Sequence, residues 1–206
     1  KYQIKNNSID LISNFSFSDA DIILIEISSR KLILSNGDYL HWNNSISVVK
    51  KIGTEFSSLW LKSLSNKFKG GGGKIINFDV SNHLEFLSSQ ELKIISSIEA
   101  KKQKIIELER DMEEINNLTN GKVIFVSHIN VLNKNLVSIK PREELINALK
   151  DICRKKNYNL IDPSVLLDPL GQSELMDKGG SSVNHYNPEK LYDVGMFFQE
   201  NIVRLY

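Results

Sequence analysis

The sequence holds a single cysteine, Cys153, so it can form no internal disulfide and no cysteine-based zinc cluster. It lacks an apolar run of the roughly 20 residues that a helix needs to span a bilayer. Its opening residues, Lys1-Tyr2-Gln3-Ile4, form no signal peptide. An excess of one charge is missing too: 26 basic against 25 acidic residues leave +1. That balance gives no electrostatic footprint for nucleic acid or an anionic membrane surface. Four consecutive glycines, Gly70 to Gly73, could cradle a phosphate, but no Gly-Lys-Ser/Thr follows and no helix opens directly behind them. They read as a flexible surface loop, and a nucleotide-binding α/β domain is the weakest functional class for the chain. No cofactor and no metal are expected.

What is present is patterned apolar sequence. A chain of 206 residues fits one domain with a proper core. Ile22 to Ile27 is a continuous β-branched run of the kind buried on both faces of a parallel sheet, and it ends in Ser28-Ser29-Arg30. Lys31–Ser35, the turn Asn36-Gly37-Asp38 and Tyr39 to Trp42 predict a hairpin, whose Tyr39, His41 and Trp42 could wall a sugar or simply pack. Helical spacing runs from Ser45 to Phe68. A second strand is expected over Lys74 to Val80, and Ser88 with Glu91 forms a capping box. Behind that box the stripe Leu92, Ile95, Ile98, Ile105, Leu108, Met112 and Ile115 predicts one helix of roughly 28 residues, about 40 Å long. Asn120-Gly121 caps it, Val123 to Val126 is a strand, Pro141 starts a helix, and Tyr158 to Asp162 is a strand again. Alternating strands and helices predict an α/β three-layer sandwich, with a mainly parallel sheet flanked by helices. Cys153, on an apolar-periodic helix, reads as core rather than nucleophile.

The candidate site lies on loops. Asp168 to Ser182 is a long connection, and Ser181 to Pro188 precedes a last amphipathic helix over Leu191 to Leu205, with Asn187 as cap and Pro188 at its first position. Within that block His185 sits on a loop beside a rigid element, where a proton-moving imidazole is useful, although a surface histidine with local bonds reads equally well. In an open α/β sheet the carboxyl ends of the strands gather three segments: Ser28-Ser29-Arg30, Ser127-His128-Ile129-Asn130, and the loop with Ser182, Asn184 and His185. Strand-end capping for the serines and a satisfied loop imidazole for His128 are the alternative readings.

The segments VIFVSHIN, REELINALKDICRKKNYNLIDPS and SSVNHYNPEKLYDVGMFF resemble, in order and character, the last third of the SGNH or GDSL hydrolase superfamily. With IEISSRK, they look like bacterial members of surface-polysaccharide biosynthesis, akin to the GSCFA group. The resemblance implies an SGNH/flavodoxin-like fold over 1–206 and an O-acyl (acetyl) esterase or acyltransferase acting on a carbohydrate. His185 would be general base to a serine nucleophile, with position 182 orienting it; Ser28, Ser29, Arg30, His128 and Asn184 would line the oxyanion or substrate. Two departures stand out. Ser182 occupies the place of the family's aspartate, leaving Asp177 or Asp162 as substitutes, and no Gly-Asp-Ser-like turn precedes Ile22. The expected nucleophile turn and first strand therefore lie upstream of Lys1, in a flanking segment. The expected partners are a carbohydrate or an acylated small molecule, and the expected location is the bacterial cytoplasm. A non-catalytic module binding a glycan or a protein is the competing reading.

Overall fold

A computed structural model of the chain describes residues 22–40, 42–70, 72–75 and 86–205. These fall into two compact units, Arg30–Asp111 and the set 22–29 with 112–205. β1 (Ile23–Ile27) belongs to the second.

The first unit is built on an antiparallel sheet. β2 (Lys31–Ser35) and β3 (Asp38–Leu40) form the expected hairpin, with Ser35 opposite Asp38. Its two turn residues, Asn36 and Gly37, have φ of 54° and 90°, the left-handed pair that matches the twist of such a turn. α1 (Trp42–Ile52) and α2 (Thr54–Lys69) follow, then β4 (Gly72–Lys74), α3 (Ser89–Ser96) and β5 (Ile98–Lys102), giving the strand order β3-β2-β5-β4. Val48, Val49, Trp60, Leu64, Ile94 and Ile98 bury together in its core. The capping box is present: Glu91 N–H donates to Ser88 Oγ and Ser88 N–H to Glu91 Oε2.

Two expectations are overturned by the structure. The single long helix is broken, because Ile98 and Ala100 lie two residues apart on one buried strand face and pair with Ser35 and Ile33 of β2. Apolar spacing at 92, 95 and 98 continues the helical stripe, whereas Ile98 and Ala100 also fit the two-residue period of a strand, and sheet pairing decided it. The glycine run is no loose loop: Gly72 and Gly73 are strand residues opposite Lys101 and Ala100, and a Cβ on Gly72 would stand 2.6 Å from the Ala100 carbonyl oxygen. Of the strand expected over Lys74 to Val80, Lys74 is the last residue of antiparallel β4, and residues 76–80 lie outside the described set, as does His41.

The second unit carries the parallel sheet, in the order β1-β6-β7, where β6 is Val123–Ser127 and β7 is Asn159–Ile161. α4 (Ile105–Leu118) precedes β6 and ends in the turn at Asn120 and Gly121, both at positive φ. α5 (Lys140–Lys156) is the crossover between β6 and β7, with Leu145, Ile146, Leu149, Ile152 and Cys153 buried on one face. Every residue of β6 is buried, as a central parallel strand requires. Ile124, Val126 and Ile161 pack with Phe197, Phe198 and Ile202 of α8 (Leu191–Leu205). The connection after β7 is more ordered than its composition suggests. It holds a 3-10 turn (Pro163–Leu166), α6 (Leu167–Leu170) and α7 (Gln172–Leu175), with Leu175 and Met176 fully buried. Among the described residues no helix is long and apolar enough to cross a membrane.

Candidate functional site

The second unit gathers polar side chains at the carboxyl ends of its parallel strands, where an open α/β sheet leaves its crevice. β1 contributes Glu26, the one charge in an otherwise apolar strand, register partner of Val126. His128 follows β6 directly. Its Nδ1 stands 2.6 Å from Glu26 Oε1, and its Nε2 stands 3.3 Å from Asn184 Oδ1. Arg142, in the first turn of α5, donates through Nη1 to the Ile129 and Val183 carbonyls at 2.9 and 2.8 Å, and through Nη2 to Asn184 Oδ1 at 3.0 Å. Burial lowers the pKa of that guanidinium and the Glu26 charge raises it, the first effect being larger.

A second polar knot lies beside it. Asp162, after β7, accepts from Ser127 Oγ at 2.8 Å and from Ser164 N–H at 3.0 Å, and pairs with Lys150 Nζ at 2.6 Å. Asn130 N–H donates to Ser164 Oγ at 2.8 Å, and the buried Asn130 Oδ1 has no protein partner among the described residues. Tyr186 keeps its phenolic proton: burial first, then the charges of Glu26 and Asp162, push its pKa up to about 12.

The loop from 176 to 187 is closed on itself by main-chain bonds. Asp177 N–H donates to the His185 carbonyl and Asn187 N–H to the Leu175 carbonyl, both at 2.9 Å, and Met176 bridges Tyr186. Asn187 caps the 3-10 turn Pro188–Lys190 that runs into α8, where the sequence suggested a cap of the helix itself. Ser182 Oγ accepts the His185 backbone N–H at 3.1 Å, so the serine shapes the turn. The imidazole of His185 is exposed. The two carboxylates considered as its partner are engaged elsewhere: Asp162 in the knot above, and Asp177 with the backbone N–H of Lys178 at 2.7 Å.

Of the residues singled out in the sequence, then, His128 and Asn184 meet directly, and His185 and Ser182 share their loop. Ser28 and Ser29 are exposed after β1. Arg30 belongs to the antiparallel unit, where its guanidinium donates to the Gln103 carbonyl at 3.3 Å. Tyr39, of the suggested aromatic wall, is half-buried in that same unit. Glu26 and Arg142 were not assigned from sequence, and Asp162 was named there only as a substitute carboxylate for His185, not as the partner of Ser127, Ser164 and Lys150. A carboxylate inside an apolar strand was the available signal for Glu26. For Arg142 it was a cation in the first turn of a helix, against the helix dipole. Among the described residues no group of three or more His, Cys, Asp or Glu could hold a metal ion.

Fold and site together define a mixed α/β protein with a polar cluster at the carboxyl edge of parallel strands. Residues 5–194 match the TviD N-terminal domain family, and the chain belongs to that family. It is similar to the Vi polysaccharide biosynthesis protein TviD of Salmonella typhi, 25% identical over an alignment of 182 residues that covers 84% of this chain. The chain spans 21% of the length of that relative. No solved structure matches it.

Proposed function

We propose that this chain is an SGNH-type O-acyl (acetyl) transfer or ester-hydrolysis domain, acting on a carbohydrate during surface-polysaccharide biosynthesis in the bacterial cytoplasm. The observation that carries the reading is the exposed His185 imidazole on a loop fastened, through Asn184, to His128 at the end of β6. Both ring nitrogens of His128 already face oxygens, so His185 is the imidazole with capacity to move a proton. In this mechanism a serine hydroxyl attacks the acyl carbonyl while His185 takes its proton, and the protonated imidazole then returns that proton to the departing alcohol. The nucleophile comes from outside the described residues, and backbone N–H groups around Ser28 and Ser29 serve the oxyanion. The name of the similar protein, which concerns Vi polysaccharide biosynthesis, supports a glycan substrate.

A second reading, a module that binds a glycan or a partner protein without chemistry, is favoured by one observation. Ser182 holds the His185 backbone, and Asp162 and Asp177 are committed elsewhere, so among the described residues no carboxylate orients the imidazole. Hydrolysis of p-nitrophenyl acetate, and acetyl transfer to de-O-acetylated polysaccharide, by this chain and by the longer protein carrying it, decide between the readings. Turnover abolished by His185→Ala supports the enzyme. Polysaccharide binding without turnover supports the module.

A further inference from the structure

Arg142 makes more of the site than its place on a helix would suggest. A guanidinium has donors only, arranged in a rigid plane. Here it meets three acceptors from two chain segments, the Ile129 carbonyl after β6 and the Val183 carbonyl with Asn184 Oδ1 just ahead of His185. One side chain therefore fastens the His185 loop to the end of β6.

The donor-only character has a further effect. The amide of Asn184 could present either its oxygen or its NH2 group to its neighbours, but an NH2 group facing Arg142 would set donor against donor. The oxygen must face the guanidinium. That same oxygen stands 3.3 Å from His128 Nε2, so Nε2 must carry a hydrogen. Glu26 Oε1, an acceptor when ionised, stands 2.6 Å from Nδ1, so the ring that satisfies both neighbours carries a hydrogen on each nitrogen.

We propose that Arg142 is the positioning residue of this site: by fixing the Asn184 amide it holds His128 as a donor at Nε2 and sets the His185 loop in register. The activity consequence rests on the acyl-transfer reading; the structural consequence does not. A lysine at 142 keeps the charge but, with one compact ammonium, cannot serve all three acceptors.

The test is long-range proton–nitrogen NMR of the His128 ring in the 15N-labelled chain. Wild type is expected to show a protonated Nε2, and Arg142→Lys to lose that signature as the Asn184 amide becomes free to turn. The double variant Arg142→Lys/Asn184→Asp is expected to regain it, since a carboxylate presents an acceptor in either orientation. In the longer protein, Arg142→Lys is expected to lower kcat by about 10- to 100-fold with KM within about twofold, the mark of lost alignment. Should Arg142→Lys fail to fold, Asn184→Leu carries the test, because it removes the oxygen and leaves Arg142 on its two carbonyls. A His128 ring unchanged in the folded variant, or a wild-type Nε2 without hydrogen, overturns the proposal. A changed ring with no ester turnover in any form upholds it and sinks only the acyl-transfer reading.

Discussion

Ser127 and Asp162 join the ends of neighbouring parallel strands through a 2.8 Å bond from the serine hydroxyl to the carboxylate. Burial alone would raise the pKa of Asp162. The bonds from Lys150, Ser164 and Ser127 outweigh it and hold the carboxyl below its ordinary value. A carboxylate depressed in the folded state stabilises it in full above the ordinary range near pH 4, and that contribution disappears as pH falls through the lower, folded value. Asp162→Asn is therefore expected to cost about 1–3 kcal/mol at neutral pH. Urea unfolding of both proteins from pH 8 downward should show a gap that is flat to about pH 5 and narrows below pH 4. A gap that widened toward acid would contradict this account of the carboxylate.

His185→Ala separates chemistry from structure. The imidazole is exposed, so the unfolding free energy should change by no more than about 0.5 kcal/mol. Ester turnover should fall by at least about 100-fold. His128→Ala, by contrast, removes the group between Glu26 and Asn184 and should lower stability as well. Parallel losses of stability and turnover in His185→Ala would assign that residue a structural role.

Two adjacent glycines differ in what surrounds them. Gly180 has φ +84°, and a Cβ there would stand 2.9 Å from Ser173 Cα and 3.0 Å from the Gln172 carbonyl oxygen. Gly179 has φ +62° and open space. Gly179→Ala should cost about 1 kcal/mol from backbone strain alone. Gly180→Ala should cost about 1–3 kcal/mol beyond that and loosen the loop leading to Ser182. Thermal unfolding of the two variants tests the difference, and equal midpoints would mean that the loop adjusts without penalty.

Cys153 is buried in α5, and burial pushes its thiol up to about 12. The thiolate is the reactive form, so the folded chain should resist an aromatic disulfide reagent at pH 8 and release one thiol equivalent only after denaturation. Rapid labelling of the native protein would show that α5 opens or that the thiol reaches solvent.

Local sequence determined the elements whose signals act within a few residues. The β2–β3 turn, the Ser88 capping box, the Pro141 helix start, the left-handed turn at Asn120-Gly121 and the Asn187 cap each depend on backbone geometry over one turn of chain, and each is present. The apolar runs at Ile22 to Ile27 and Val123 to Val126 likewise announced strands of a parallel sheet, although β1, expected to be buried on both faces, alternates half-buried and exposed residues. Tertiary structure decided the rest. Ile98 to Lys102 suited a helix by spacing and became a strand because β2 and β4 supply partners on both sides. Gly72 looked flexible and is instead required by the close approach of Ala100. The site followed the same division: His128 and Asn184 were visible as polar residues on loops, but their meeting depends on Arg142, 42 residues from Asn184, and on Glu26, 102 residues from His128. A caps-and-turns code acts at short range, whereas a hydrogen bond between distant segments exists only after the sheet has brought their strand ends together.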